Sequence, residues 1–331
     1  MTSRHRVRFT VLALATLLSS LVPLAASAQV KPLAVIIVPF DASSLAPGDQ
    51  WMGEAVAQVL SRGLAQHRAF VQIERARLTA DGAPGVWTEA AVHQAASAVH
   101  ADVAMFGRVD RQGTDLGIYP RLLNVKSAQA TSLPTMTFDD GAFATGIASL
   151  PLAYARALQI ALTPRDSSRI EQASRLTPEL QALKLFTQGQ MATYRGAHKD
   201  AVDLLVRAIE DDNGFVVAHY TLGTVHAVIG NRWKAAAQFR AAAQLDSRMP
   251  EPIKSIGDLY LSQPRKLFEQ AIEAYSKAIA LRPFYADAYG GLGAAYAIKG
   301  LCAESAKAYA RAAELDPRSA RAPEPCASPS P

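Results

Sequence analysis

The chain has 331 residues, 50% apolar and 19% charged, with a formal net charge of +5. That is room for two domains with real cores, and it excludes a disordered, charge-rich chain. No dense Lys/Arg run and no interleaving of aromatic with basic residues marks a nucleic-acid surface.

The first residues read as a targeting segment. Arg4, Arg6 and Arg8 precede an apolar run from Phe9 to Leu21, and Ala26-Ser27-Ala28 is a small-x-small cleavage site. Cleavage after Ala28 is expected, which makes residues 1–28 a signal peptide and the mature protein periplasmic or secreted. The apolar run is short and Pro23 follows it, so an uncleaved membrane anchor is disfavoured. No later segment approaches the ~20 apolar residues of a membrane span. Loss of three arginines and no acid takes the formal charge from +5 to +2.

Residues 29–165 predict an α/β domain. Leu33 to Pro39 is a continuous aliphatic run, the pattern of a buried strand. Ser43, Ser44, Pro47 and Gly48 make a loop, and Trp51, Ala55, Val59 and Leu60 recur at helical spacing to Gln66. A short strand follows at Phe70 to Glu74, then a turn cluster at 80–85. Thr88 can cap a helix over 88–99. Strands are predicted over 102–109, 116–125 and 128–138, the last demoted to a sheet edge by Pro134. A long, mostly apolar helix closes the domain over 142–162. This order predicts helices packed on a mixed sheet.

Several residues carry a resemblance. Val38-Pro39-Phe40, the Gly53-Glu54 helix start, Ala101-Asp102-Val103 with Gly107-Arg108-Val109, and Arg121-Leu122-Leu123-Asn124-Val125 are similar to the TolB amino-terminal-like domain of bacterial envelope proteins. The resemblance covers about 33–162. It implies an envelope or assembly role and carries over no catalytic residue. No β-propeller follows, so the partners of TolB itself are not implied.

Thr163 to Asp166 ends the domain, and residues 166–181 read as a linker or short helix. Thr177 and Pro178 mark a helix start. From there one pattern recurs at steps of roughly 34 residues. Its clearest copy is Leu292-Gly293, Tyr296, Gly300, Ser305, Tyr309, Ala312 and Pro317. The copies fall at 182–215, 216–249, 250–285 and 286–319, and resemble tetratricopeptide repeats. Each is expected to be two antiparallel helices. Small residues (Gly189, Gly223, Gly257 and Gly293, then Ala201, Ala235, Ala271 and Ser305) mark the close helix crossing. Leu205, Phe239, Tyr275 and Tyr309 fill the gap to the next unit. Gly196, Gly230 and Gly300 suit the left-handed backbone at a helix end. The first copy is worn at Gln188 and Ala192. The third is lengthened around 262–266. Residues 320–331 are Pro- and Ser-rich and predict disorder. The fold class is thus α+β, multidomain: an α/β domain with a mixed sheet, then an all-α solenoid.

No phosphate loop, dinucleotide fingerprint or nucleophile elbow is present, and no cofactor is implied. His93 and His100 could share a helix face, but two polar positions on an Ala-rich helix explain them better. His226 stands at a packing position. The chemistry that remains is a surface. The first helix of each hairpin lines the concave side of such an array, which puts Phe186, Gln190, Tyr220, Thr224, Lys254 and Asp258 on it. Gly290 and Ala294 leave room in the last copy. A protein or peptide with apolar anchors suits that groove; water or the chain's own first domain could equally cover it. Cys302 and Cys326 could pair in an oxidising compartment. The expected function is a non-enzymatic interaction scaffold of the cell envelope. The alternatives are a ligand sensor or enzyme with its site in the α/β domain, and a self-assembling structural protein.

Overall fold

The computed structural model describes residues 31–73, 87–262, 267–317 and 326. The targeting segment, the turn cluster at 80–85 and all of the tail but Cys326 lie outside the described residues.

The aliphatic run forms β1 (Leu33–Ile37), flanked by parallel β2 (Phe70–Gln72) and parallel β3 (Val103–Gln112). A tight turn at Gly113, with φ +64°, folds β3 onto antiparallel β4 (Asp115–Asn124). The sheet order is β2-β1-β3-β4-β5, which is mixed as predicted. The single edge strand expected over 128–138 is two. β5 (Gln129–Ser132) pairs with one end of β4, and β6 (Met136–Phe138) pairs with the other. Pro134 sits in the break, where a residue without an amide hydrogen cannot continue the ladder.

The alternation of β1 sorts the core. Ala34, Ile36 and Val38 join Ala104 and Phe106 under α2 (Glu89–Ala98), through its Val92 and Ala96. Val35 and Ile37 point to the other face and join Met105 and Val109 under α1 (Trp51–Leu64). The closing helix is broken into α3 (Phe143–Gly146), a 3-10 turn and α4 (Leu150–Ala157). Tyr154 of α4 is fully buried, and its hydroxyl reaches the carbonyls of Phe106 and Arg121, each at 3.0 Å. That contact ties the helix across two strands.

Residues 164–174 form α5 (Pro164–Ser174), with a full capping box between Thr163 and Asp166. It is more than a linker, because Ile170 is fully buried and α5 packs on α1 and α4.

Four helical hairpins follow. They are α6 (Leu180–Tyr194) with α7 (His198–Asp211), α8 (Val216–Val228) with α9 (Arg232–Leu245), α10 (Pro250–Leu261) with α11 (Phe268–Leu281), and α12 (Ala286–Lys299) with α13 (Cys302–Leu315). The start of α6 corrects one expectation. Thr177 does not cap it; its hydroxyl donates to Asp212 at 2.6 Å, and the helix begins at Leu180 after Glu179.

The repeat pattern has a measurable cause. A Cβ on Gly223 would lie 2.6 Å from the Phe239 ring, one on Gly257 2.9 Å from Tyr275, and one on Gly293 3.0 Å from Tyr309. Each glycine is therefore the floor on which the partner helix rests its large side chain. Gly230 and Gly300 close their turns at φ +80° and +81°. The connection in the third hairpin is longer, as predicted, running from Leu261 to Phe268. Cys302 and Cys326 form a disulfide, with Cα atoms 5.6 Å apart.

The two halves share a core cluster. One apolar cluster runs from Val35 of the sheet through α1 to Leu205, Phe215 and Val225 of the first two hairpins.

Candidate functional site

The inner side of the helical array can be read from packing. The first helices of neighbouring hairpins touch each other, α6 with α8 and α10 with α12, so they lie on the inside of the curve. The sequence places six residues there, and the structure divides them into two groups.

Phe186 and Tyr220 do not face an open groove. Phe186 is 1% exposed and packs against Phe215, ring centroids 4.9 Å apart. The cover is α1 of the α/β domain, which packs directly on α6. Tyr220 is tilted against Phe239 at 5.8 Å. Burial, and then the charge of Glu251, push its hydroxyl above the usual tyrosine range. The last turn of α1 reaches further along the inner side. Arg62 contacts Glu251 of α10 at 2.9 Å, and Glu251 also holds Arg282, at the end of α11, at 2.9 Å. Arg282 in turn donates to Gln66 at 3.3 Å. Burial pushes the Glu251 carboxyl up, but Arg62 and Arg282 pull it further down, leaving it below the usual carboxylate range. Glu251 Oε2 and Arg62 Nε remain buried without a hydrogen-bond partner among the described residues.

Gln190, Thr224 and Asp258 sit one helical turn beyond the covered positions, and solvent reaches them. Thr224 is exposed and donates to the Tyr220 carbonyl at 3.1 Å. Lys254 and Asp258 form an ion pair at 2.8 Å, and Tyr275 donates to the same carboxylate at 2.8 Å. Gly290 has nothing within 4 Å of a Cβ position. Part of the expected groove is thus open, and the chain's own first domain fills it at Phe186.

The open part continues onto an edge that the repeat pattern did not single out. Tyr194 is 56% exposed, Val228 61%, Ile229 47% and Trp233 87%. All four stand at the turns between the two helices of the first and second hairpins, and stacked hairpins place such turns along one edge. Arg195, Lys199, Arg232 and Lys234 surround them, exposed and without an ion pair among the described residues. A signal was present in Arg232-Trp233-Lys234, an aromatic between two cations at a helix start. A lone exposed aromatic is common enough that sequence alone does not promote it.

The histidines are accounted for. His93 contacts the Val125 carbonyl at 3.1 Å, and His100 occupies the turn after α2 at φ +53°. His226 is buried, and burial, then Lys234, lowers its pKa, so it packs as a neutral ring. Among the described residues no three His, Cys, Asp or Glu side chains are grouped to hold a metal ion, and no helix is long and apolar enough to cross a membrane.

Residues 266–300, spanning α11 and α12, match the TPR repeat family model. Residues 266–300 thus carry a tetratricopeptide repeat. The human protein O-mannosyl-transferase TMTC1 is 27% identical over 187 residues, which are 50% of this chain and 21% of that protein. The photosystem I assembly protein Ycf3 of Rippkaea orientalis is 27% identical over 118 residues, 31% of this chain and 68% of that one. The chain thus spans about a fifth of the first relative and about two thirds of the second. Among solved structures, a MamA structure is similar at 25% identity and a TM-score of 0.38, covering 48% of this chain and 98% of that one. YrrB, described as a TPR protein with an unusual peptide-binding site, is 18% identical with a TM-score of 0.36, covering 54% and 87%.

Proposed function

We propose that the protein is a non-enzymatic, protein-binding scaffold of the bacterial cell envelope, and that its partner docks on the turn edge of the first two tetratricopeptide repeats. The observation that carries this is the set of Val228, Ile229 and Trp233, large apolar side chains exposed beside the open part of the groove. Exposed aromatic anchors ringed by charge are the usual composition of a protein-binding hot spot. The rim of Arg195, Lys199, Arg232 and Lys234 selects the occupant: a protein segment with apolar anchors flanked by acidic residues. Gln190, Thr224 and the Lys254–Asp258 pair extend this surface inward. Two features support the envelope setting, the targeting segment with its Ala26-Ser27-Ala28 site and the likeness of residues 33–162 to TolB amino-terminal-like domains. Ycf3, by its name, serves in assembly, which accords with the same reading.

A photo-crosslinking amino acid at position 233, installed in the cell, tests this. Adducts should form at 233 and not at 240, which is exposed on the same helix, and Val228→Asp with Ile229→Asp should abolish them. Equal adducts at 233 and 240 would remove the edge as the docking site.

A further inference from the structure

A second site lies where α1, α5 and the second and third repeats meet. A cavity of about 510 Å³ opens there, within the usual size range of small-ligand sites. Five arginines from different parts of the chain line it: Arg62 from α1, Arg165 and Arg169 from α5, Arg248 from the α9–α10 connection, and Arg282 from the end of α11. One carboxylate, Asp246, stands among the lining residues, and Glu251 lies behind Arg62 and Arg282. Five guanidinium groups against two carboxylates leave three positive charges in one cleft.

These arginines are not equally engaged. Arg62 and Arg282 share a single oxygen of Glu251, and Arg62 Nε is buried with no acceptor among the described residues. Arg248 pairs with Asp246 through its Nε at 3.3 Å and is held across the cleft by Gln172, its Nη1 donating at 3.0 Å. Arg165 and Arg169 make no hydrogen bond or ion pair within the described residues. Concentrating like charges costs free energy unless a counter-charge is present. Tertiary packing does not require the charges of Arg165 and Arg169, because Ala173, Met249, Ala280 and Leu281 already supply apolar lining. Guanidinium forks pair bidentately with carboxylate and phosphate oxygens.

We propose that this cleft binds a small oxyanion ligand bearing two or more negative charges, gripped by Arg165 and Arg169 from one side and by Arg248 and Arg282 from the other. Such a ligand bridges the α/β domain to the repeats, so binding stiffens the junction between them. The site shares no residue with the turn edge and stands whether or not a protein docks there.

The test is calorimetric titration and thermal unfolding of the full chain with pyrophosphate, and in parallel with citrate, at fixed ionic strength. Binding with a rise in Tm of several degrees is expected for at least one of the two. Response to pyrophosphate alone assigns phosphate chemistry, and response to both assigns oxyanions generally. Arg165→Ala with Arg169→Ala should weaken binding at least tenfold, while Arg240→Ala, on an exposed face of α9, should leave it unchanged. Both of the double variant's positions are solvent-accessible, so its Tm without ligand should match the parent. The proposal is overturned if neither anion binds at millimolar concentration, if the double variant binds as the parent does, or if hexaglutamate binds while both small anions do not.

Discussion

Glu251 concentrates more consequence than any other single residue. It joins α1 of one half to α10 and α11 of the other through two arginines. Removing one partner from a buried charge cluster leaves the remaining charges uncompensated, which costs about 3 kcal/mol. Glu251→Gln should therefore lower the urea midpoint by that equivalent, whereas an exposed change such as Glu304→Gln should not move it. Acid should act at the same place. The Glu251 pKa is held below its ordinary value near 4.5, so its stabilisation is complete above that value and is lost as pH falls through the folded one. His67 and His226 shift downward from 6.5, chiefly by burial. Each is kept neutral by the fold, and that too favours unfolding as pH drops below 6.5. Tm measured against pH should thus fall in two steps, one beginning near pH 6.5 and one below 4.5, and Glu251→Gln should flatten only the second. None of this was legible in the sequence. Glu251 lies 189 residues beyond Arg62, and Arg282 lies further on still, so no local pattern pairs them. The six groove positions could be counted from the repeat, but not the fact that another domain would cover Phe186.

At the scale of elements the sequence was a better guide, because the information there is local. Hairpin lengths, turn glycines and the floor glycines all follow from periodicity. Two adjacent glycines of α12 give opposite expectations. A Cβ on Gly290 meets nothing within 4 Å, so Gly290→Ala should stabilise by about 0.5–1 kcal/mol through helix propensity. Gly291 lies against the Tyr275 ring, which is already wedged on Gly257, so Gly291→Ala should destabilise by about 1–3 kcal/mol. Chemical denaturation of the two variants checks both signs. The disulfide spans 24 residues, and replacing Cys302 and Cys326 by serine should cost at most about 3 kcal/mol, seen as faster amide exchange in α13. Where element reading failed, the cause was a competing local rule. Pro134 divides one apolar-alternating segment into β5 and β6 on opposite ends of β4. Thr177 donates its hydroxyl to Asp212 and accepts from the Glu179 amide, and α6 starts after Glu179.

At the scale of the whole molecule, packing joins elements that lie far apart along the chain. Because one core includes the sheet, α1 and the first two repeats, those parts should melt in a single calorimetric transition. An α/β half that melts independently of residues 180–245 would contradict this. The last two repeats have clusters of their own, Ala271 with Tyr275 and Leu292, and Ile253 with Ala278, and have a route to earlier unfolding. The sequence hinted at the shared core through α1, whose apolar positions are hardly confined to one stripe. Twelve of its fourteen residues are buried, including Glu54 and Gln58, which hydrogen-bond to each other at 3.0 Å. A helix read alone in that way looks merely hydrophobic, since the second surface that covers it lies more than a hundred residues downstream. The same helix has a consequence for how this architecture can be re-used. A segment that answers to two neighbours cannot be swapped with that of a homologue unless both neighbours travel with it. A chimera joined near residue 163 would inherit mismatched halves, and one joined between the second and third repeats would have to carry Arg62 together with Glu251 and Arg282.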